Sequence, residues 1–369
     1  MKFTVTRNSL LNELNLIQGV IEKKSTIPIL SNILIDAVGD HLDLTASDGD
    51  ITIRCGCSAA VAVEGTTTIA ARRIFDIVRL LPENSEIELT LLENNRMEMR
   101  SGNSHYKIVA IPKDDFPVIP ETAPTIAAIS GTLLEKMIQR TIFAITQEES
   151  RYSLNGSLLV LQPDSLNMVA TDGHRLALVS KNMEIPGIEE EVKALIPRKT
   201  LTALLKIING QDLVVEFGRN DNHLFFSAGN KRIVSRILVG QFPNYELVIP
   251  RENDKLVVVG AKEFGDGIKR AAIMSDEKLK LIKLSFSTGE LELSAISTDA
   301  GESREVVPIE FEGEKLSIGF NSQYLLDFIG ACGVDSVSIA IKDSDTQGLL
   351  RPVGSDDFEY RYVAMPMNV

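Results

Sequence analysis

Residues that could do chemistry are present in this 369-residue chain, but their spacing does not assemble a catalytic or metal-binding set. Cys55-Gly-Cys57 offers two thiolates, whereas zinc usually takes four ligands, and no further Cys or His pair accompanies them. Asp343 and Asp345 could bind a metal, but the polar residues around them favour a turn. The remaining acid–base candidates are four isolated histidines, His41, His105, His174 and His223.

Motifs for phosphate binding and acyl transfer are also missing. The sequence contains neither GxxxxGK[ST] nor GxSxG, and Gly265-Asp-Gly267 lacks the third glycine of a dinucleotide-binding turn. We therefore predict a binding or scaffold protein rather than an enzyme, and we expect neither a metal nor another cofactor.

The composition is that of a globular protein, with 44% hydrophobic and 24% charged residues. No run of 18 apolar residues could form a membrane-spanning helix, and no secretory signal is recognisable. Three cysteines, an odd number, are typical of a reducing compartment. These features predict a soluble cytoplasmic protein without a membrane partner.

The net charge of −13 disfavours simple wrapping on nucleic acid, because phosphates repel an anion. The predicted helices nevertheless carry many of the basic residues, including Arg72, Arg73 and Arg79, then Arg198, Lys199 and Lys206. Two interpretations remain open. These cations either cover ordinary solvated helix faces or form a basic surface on an otherwise acidic protein.

The chain repeats itself. Phe116-Pro117 recurs as Phe242-Pro243, and Arg72 recurs as Arg198 after the same interval of 126 residues. TASDG at Thr45–Gly49 returns as TDG, and a fainter third copy includes Asn321–Ile341. Each copy reads as a strand, an amphipathic helix, several alternating strands, a second helix and more strands.

This pattern predicts an α+β fold of three tandem similar domains, each with antiparallel sheet and two helices. We place the domains at residues 1–122, 123–251 and 252–369. Apolar residues at helical spacing predict the first helix of each of the first two copies, up to Ile21 in the first copy and Ile142 in the second. In the third copy, the second helix is predicted to begin at Asn321.

Short segments along the whole chain resemble those of one family, the bacterial DNA polymerase III β subunits, or sliding clamps. The most specific are TDGHRLA, beginning at Thr171, and MPM at Met365–Met367. Others are MKFTV, TIPILSNILI, RYSLNGSLL, IPRK, FPNY, RAAIMSDEK and GFNSQYLLD.

The resemblance implies the DNA clamp fold, in which the three domains form half of a dimeric ring. A head-to-tail homodimer then encircles double-stranded DNA and acts as a processivity factor in replication. The implied partners are the DNA polymerase III α subunit, clamp loader subunits and other proteins with a clamp-binding motif. The implied dimer interface contains Tyr106, Ile273 and Met274.

The resemblance also assigns two binding surfaces. DNA contacts are expected at Lys24, Arg72, Arg73, Tyr152, Arg198 and Lys199. A partner-peptide pocket between the second and third domains is expected from Leu154, Thr171, Gly173, His174, Arg175, Leu176, Pro243, Val248, Leu279, Asn321, Tyr324, Val363, Met365, Pro366 and Met367. This chain departs from the family pattern at Ser153, at Leu247 and in its Asn368-Val369 ending. The alternative function is a repeat-built scaffold that binds proteins only, with an enzyme third.

Overall fold

The computed structural model describes residues 1–21, 27–148, 150–299, 301–354 and 357–369. Two compact units are distinguished, and each is described by itself. Unit 1 contains Met1–Glu135 and Pro197–Ile237, and unit 2 contains Lys136–Ile196 and Leu238–Val369.

The elements repeat one order three times, and we call each repeat a module. The first module contains β1 (Lys2–Thr6), α1 (Arg7–Ile17), β2 (Asn32–Val38), β3 (His41–Ser47), β4 (Ile51–Ser58), β5 (Ala60–Val63), β6 (Gly65–Ala70), α2 (Ala71–Leu80), β7 (Glu86–Leu92), β8 (Arg96–Ser101) and β9 (Ser104–Ile111). The second contains β10 (Thr125–Ser130), α3 (Gly131–Gln139), β11 (Gly156–Gln162), β12 (Ser165–Thr171), β13 (Arg175–Asn182), β14 (Val192–Pro197), α4 (Arg198–Ile208), β15 (Val214–Arg219), β16 (His223–Ala228) and β17 (Lys231–Arg236). The third contains β18 (Lys255–Gly260), α5 (Ala261–Ala272), β19 (Leu281–Ser287), β20 (Glu290–Ser297), β21 (Gly301–Pro308), β22 (Leu316–Asn321), α6 (Ser322–Cys332), β23 (Ser336–Ile341), β24 (Gly348–Val353) and β25 (Glu359–Ala364).

This order confirms the predicted fold class of three similar modules, each with antiparallel strands and two helices. In unit 1, 13 strands form one sheet in the order β10-β15-β16-β17-β4-β3-β2-β6-β9-β8-β7-β1-β5. In unit 2, one sheet runs β14-β11-β12-β13-β25-β24-β23-β18 and a second runs β21-β20-β19-β22.

Modules join by the same strand pairing each time. In unit 1, β17 pairs antiparallel with β4, and Ile233 lies opposite Ile53. In unit 2, β25 pairs antiparallel with β13, and Val363 lies opposite Leu176. Within their modules, β17 and β25 are the last strands, whereas β4 and β13 are the third strands after the first helix. Strands at corresponding places therefore make corresponding contacts.

The helices cover one face of the strands, because side chains alternate between faces with period two. Leu10, Leu14 and Ile17 are buried on α1, which packs against β4. Phe264 and Ile268 are buried on α5, which packs against β20 and β21.

Some helix ends differ from those predicted. Ile21 lies beyond α1, which ends at Ile17 shortly before Gly19, a residue type that weakens helices. Asn321 is the N-cap of α6 rather than its first residue, and its side chain accepts hydrogen bonds from the Gln323 and Tyr324 amides. Ile142 lies in a short 3-10 turn, beyond the end of α3 at Gln139.

Within the described ranges, no helix is long and apolar enough to cross a membrane.

Candidate DNA-facing and partner-binding surfaces

The first candidate surface lies on the helices of unit 1, where α1 contacts both α2 and α4. Arg7 at the start of α1 donates hydrogen bonds to the Val78 and Arg79 carbonyl oxygens (3.1 and 2.8 Å) and so closes the C-terminal end of α2. On α2, Arg72 and Arg73 are exposed. This packing presents two adjacent cations to solvent.

Lys199 at the start of α4 is placed differently. Its ammonium group forms an ion pair with Asp48 and donates a 2.9 Å hydrogen bond to the Val20 carbonyl oxygen. Because the Asp48 side chain is only 8% exposed, the lysine compensates a largely buried carboxylate. Arg198 beside it is half-buried. Lys199 therefore has a structural role in addition to its predicted contact with DNA.

Arg198 and Lys199 line a cavity of about 320 Å³ together with Lys206, two turns further along α4. Leu16 in the last turn of α1 and Gly19 and Val20 just beyond the helix are also in its wall. Lys206 was not among the predicted DNA contacts. The sequence could have indicated it, because Arg198, Thr202 and Lys206 are spaced four residues apart and so share one face of the helix.

The other predicted DNA contacts lie elsewhere. Tyr152 is 68% exposed in a 3-10 turn of unit 2. Lys24 lies outside the described residues. The structure therefore brings Arg72, Arg73, Arg198 and Lys199 onto one group of packed helices and places Tyr152 in the other unit.

The second candidate surface lies in unit 2, around the β13–β25 pair. Leu176 and Val363 belong to a cluster of buried apolar side chains, against which Val248 packs from the linker that precedes β18. Leu178, Phe242 and Tyr245 belong to the same cluster and were not predicted. Leu178 could have been found, because it follows Leu176 at the period of a strand. We call this set the apolar cluster.

Arg175 lies at the polar end of the apolar cluster, where β13 begins. Its guanidinium donates hydrogen bonds to Asp172 (3.0 Å), to Asp327 (2.5 Å) and to the Phe143 carbonyl oxygen (2.6 Å). The same group lies 4.3 Å from the centre of the Tyr324 ring, a cation–π contact. The network therefore joins β13, its preceding turn and α6.

Protonation within this network is fixed. Burial lowers the pKa of Arg175, but the Tyr362 hydroxyl and the Asp327 carboxylate act in the opposite direction, and the net pKa is raised. Burial raises the pKa of Tyr362 and, to a smaller extent, that of Tyr324. Arg175 is therefore a permanent cation and both tyrosines are neutral phenols at physiological pH.

The TDGHR sequence forms the turn that holds Arg175. The Thr171 hydroxyl donates to the Arg175 carbonyl oxygen (2.6 Å) and accepts from the Gly173 amide (3.1 Å). One Asp172 carboxylate oxygen accepts from the His174 and Arg175 amides. Gly173 has φ of +90°, a conformation that favours glycine. The motif's residue types thus follow from the geometry of this turn.

The C-terminal segment lies along the same turn. The Met365 amide donates to the His174 carbonyl oxygen (2.9 Å), and the Met367 amide donates to the Gly319 carbonyl oxygen (2.8 Å). A Cβ at Gly319 would lie 2.5 Å from the Met367 carbonyl oxygen, so this close approach requires glycine. Met365 is 40% exposed, whereas Pro366 and Met367 are half-buried.

The remaining predicted pocket residues lie around this core. The Asn321 side chain donates to the Leu279 carbonyl oxygen (3.3 Å), and Leu279 itself is 56% exposed. Leu154 is buried at the end of a 3-10 turn. Pro243 is exposed beside Phe242 of the apolar cluster.

The predicted interface residues occupy exposed positions. Tyr106 lies on β9 in unit 1 and is 37% exposed. Ile273 follows α5 in unit 2 and is 72% exposed, and the adjacent Met274 is half-buried.

Among the described residues, no group of three or more His, Cys, Asp or Glu side chains could hold a metal ion. Asp343 accepts hydrogen bonds from the Asp345 and Thr346 amides, which confirms the predicted turn. Burial raises the pKa of Cys57 to about 11 and that of Cys55 further, so neither thiol is an activated nucleophile.

Matches to known proteins extend over the whole chain. Three family profiles match in tandem: the N-terminal domain of the DNA polymerase III beta subunit over residues 1–120, its central domain over 128–244 and its C-terminal domain over 246–368. The beta sliding clamps of Pseudomonas aeruginosa and Caulobacter vibrioides are 35% and 34% identical, with all of each chain covered.

Solved structures agree. The DNA polymerase sliding clamp of Pseudomonas aeruginosa superposes with a TM-score of 0.92 at 35% identity over the full length of both chains. The beta sliding clamp of Caulobacter crescentus gives 0.94 at 32% identity, covering all of this chain and 99% of the other. The chain therefore belongs to the DNA polymerase III β subunit family, the bacterial sliding clamps.

Proposed function

We propose that this chain is a DNA sliding clamp, a non-catalytic processivity factor of which two copies close head to tail around duplex DNA. The observation that carries the proposal is the repeated junction between modules. Two such junctions lie within the chain, β17 with β4 and β25 with β13. In the repeat, β9 corresponds to β17 and β25, and β21 corresponds to β4 and β13. A third junction of the same kind would therefore pair β9 with β21.

Both edges are open among the described residues. Strand β9 pairs with β8 along most of its length but with β6 only through Ala110 and Ile111. Strand β21 is the edge of its four-stranded sheet. Within the described part of the chain β9 and β21 do not pair with each other, so we propose that β9 of one copy pairs with β21 of a second. Such a heterologous contact either closes into a ring or grows into a filament, and a two-fold axis closes it.

The repeat also indicates what Tyr106 does. In the β8–β9 hairpin, the pair next to the turn is Ser101 with Ser104, and Tyr106 lies two residues after Ser104 on β9. In the β16–β17 hairpin, the pair next to the turn is Ala228 with Lys231, and Ile233 lies two residues after Lys231 on β17. Ile233 is 1% exposed at the β4–β17 junction. Tyr106 therefore takes the place of Ile233 and becomes buried against the second copy. We propose Ile273 and Met274 for the opposite side of this interface.

For DNA we propose contacts from Arg72, Arg73, Arg198 and Lys199 on the unit 1 helices, together with Tyr152 and Lys24. A clamp is retained because it encloses DNA, so its contacts are few and weak enough to allow sliding. Each phosphate that is neutralised adds about 0.9 to the salt dependence of binding. The exposed side chains of Arg72 and Arg73 suit this requirement.

For partners we propose that the apolar cluster and the Arg175 network, with the other predicted pocket residues, bind a short peptide. The apolar side chains accept the peptide's apolar anchors, and the polar groups at the turn orient its backbone. The expected partners are the DNA polymerase III α subunit, clamp loader subunits and other proteins that carry the clamp-binding motif. This function places the protein in the bacterial cytoplasm, where the chromosome is replicated.

We further propose domain limits at residues 1–122, 123–251 and 252–369, which the ranges of the three family profiles support. The alternative, a scaffold that binds only proteins, is not favoured, because the full-length relatives are sliding clamps.

The test is topological retention. Once assembled by a clamp loader and ATP on nicked circular DNA, the labelled protein should remain bound through gel filtration in high salt. Linearising the DNA should release it, because a ring slides off free ends. Equal retention on circular and linear DNA would contradict the proposal.

A further inference from the structure

The junction between β4 and β17 in unit 1 borders a groove that the proposed function does not use. Its volume is about 410 Å³. One wall consists of Thr52 and Arg54 on β4 with Arg232 and Val234 on β17, and the other is the linker at residues 119–122. We call it the β4–β17 groove.

This groove occupies the place that the apolar cluster has in unit 2. Val234 lies opposite Thr52 and, two residues along, Arg232 lies opposite Arg54. At the other junction, Val363 lies opposite Leu176 and, two residues along, Arg361 lies opposite Leu178. The two sites share a backbone arrangement, but Arg54 on β4 stands in the place that Leu178 has on β13. The ligand they suit must therefore differ in charge.

Of the two arginines, only Arg54 has a compensating charge within the described residues. Like charges directly opposite each other on paired strands are destabilising. Arg54 donates a 2.7 Å hydrogen bond to Asp43, which raises the pKa of the arginine. Arg232 is exposed, and within the described ranges no carboxylate lies within ion-pair distance of it. A carboxylate bound in the groove would compensate this charge.

The linker offers unpaired backbone groups beside these arginines. Residues 117–123 have no regular secondary structure, and neither their carbonyls nor the amides of their non-proline residues take part in the backbone hydrogen bonds found in the described part of the chain. An extended peptide can add to such a segment through main-chain hydrogen bonds. Ile119 and Val234 supply apolar side chains to the lining, and Glu121 contributes a carboxylate from the linker.

We propose that the β4–β17 groove is a second docking site, which binds an extended segment of a partner protein that is acidic at one end and apolar at the other. Its carboxylates bind Arg232 and Arg54, and its apolar end lies on Ile119 and Val234. Glu121 repels a segment that is acidic throughout and so sets the direction in which the peptide lies.

The probe is a fluorescein-labelled peptide, Glu-Glu-Val-Val-Leu, measured by fluorescence anisotropy against the full-length protein. Arg232→Glu should weaken binding at least tenfold, because a charge-assisted hydrogen bond is lost and repulsion is added. Glu121→Lys should strengthen it several-fold. The Arg96→Glu variant, which reverses an exposed charge on β8 of unit 1, should bind as the parent does.

A double variant of the proposed peptide pocket, Met365→Ala with Met367→Ala, should also bind this probe normally, which separates the two sites. Thermal unfolding checks that each variant is folded. The proposal is overturned if the probe does not bind, if Lys-Lys-Val-Val-Leu binds equally well, or if Arg232→Glu and Glu121→Lys leave affinity unchanged. Loss of binding in the methionine variant alone would assign the probe to the other pocket and would equally overturn it.

Discussion

Arg175 on β13 and Asp327 on α6 are joined by a 2.5 Å hydrogen bond between the guanidinium Nη1 and the carboxylate Oδ2, although 152 residues separate them in the chain. Both side chains are largely buried, at 10% and 23% exposure. This ion pair ties the TDGHR turn to the helix that carries Tyr324. It therefore sets the shape of the proposed peptide pocket.

Replacing Arg175 should cost stability as well as binding. Arg175→Ala leaves Asp172 and Asp327 without their shared cation, and we expect a loss of about 3 kcal/mol in the free energy of unfolding. Arg175→Lys should restore only part of this, because an ammonium cannot match the planar guanidinium. Urea unfolding measures both. A change as small as that of Lys342→Ala, which breaks an exposed ion pair with Glu252, would contradict the structural role.

The methionines of the C-terminal segment should matter for peptides rather than for folding. Met365→Ala with Met367→Ala removes two apolar side chains from the proposed pocket, and each contributes on the order of 1.5 kcal/mol or more when buried by a ligand. Affinity for a peptide with the clamp-binding motif of the polymerase α subunit should fall at least a hundredfold. Isothermal titration gives the affinity, and sedimentation should show an unchanged oligomeric state. Val239→Ala, at an exposed valine in unit 2, is the control. Normal peptide binding by the double variant would remove the pocket assignment.

Charge placed on the open edge of β9 should separate the two copies. Tyr106→Glu buries a carboxylate where the repeat places an apolar side chain, so the dimer should dissociate at least tenfold more readily. Ile273→Glu should act in the same direction. Sedimentation equilibrium distinguishes monomer from dimer, and Val239→Glu controls for added charge. A dimer as tight as the parent's in both interface variants would refute the predicted interface.

The predicted DNA contacts should divide into two groups. Arg72→Glu with Arg73→Glu should weaken DNA binding without lowering thermal stability, because both side chains are exposed. Lys199→Ala should lower stability, because it leaves the buried Asp48 carboxylate unpaired. Anisotropy at several salt concentrations should show the slope falling by about 0.9 for each contact removed. If Lys199→Ala is as stable as the parent, its pairing with Asp48 is not structural.

The thiols of Cys55 and Cys57 should react slowly. Burial raises the pKa of Cys57 to about 11, so at pH 8 the reactive thiolate is a minor form, and it increases as the pH approaches 11. A chromogenic disulfide reagent should therefore modify the folded protein far more slowly at pH 8 than the protein unfolded in guanidinium. Equal rates in the two states would show that these thiols are not protected.

Much of the fold could be predicted from the sequence, because the same order of strands and helices occurs three times along the chain. Period-two strands and paired helices recur in one order, and TDGHR and MPM are specific enough to point to the second surface. The turn explains why: Thr171, Asp172 and Gly173 each meet a separate hydrogen-bonding or backbone requirement. Local requirements of this kind leave a clear trace in sequence.

Long-range pairing left no such trace. The Lys199 and Asp48 pair is separated by 151 residues, and nothing in either segment marks it. Phe242 and Tyr245 join the apolar cluster from a linker without strand or helix periodicity. The end of α1 at Ile17 was missed because Ile21 continues the apolar spacing past a glycine. Tertiary contacts decided the first two positions, whereas the local helix preference of Gly19 accounts for the end of α1.

The most direct test of the account is electron microscopy of the purified full-length protein. Pairing of β9 from one copy with β21 of another predicts closed particles of two chains, with six similar modules around a central hole wide enough for duplex DNA. Single chains, open arcs or filaments without a hole would contradict it.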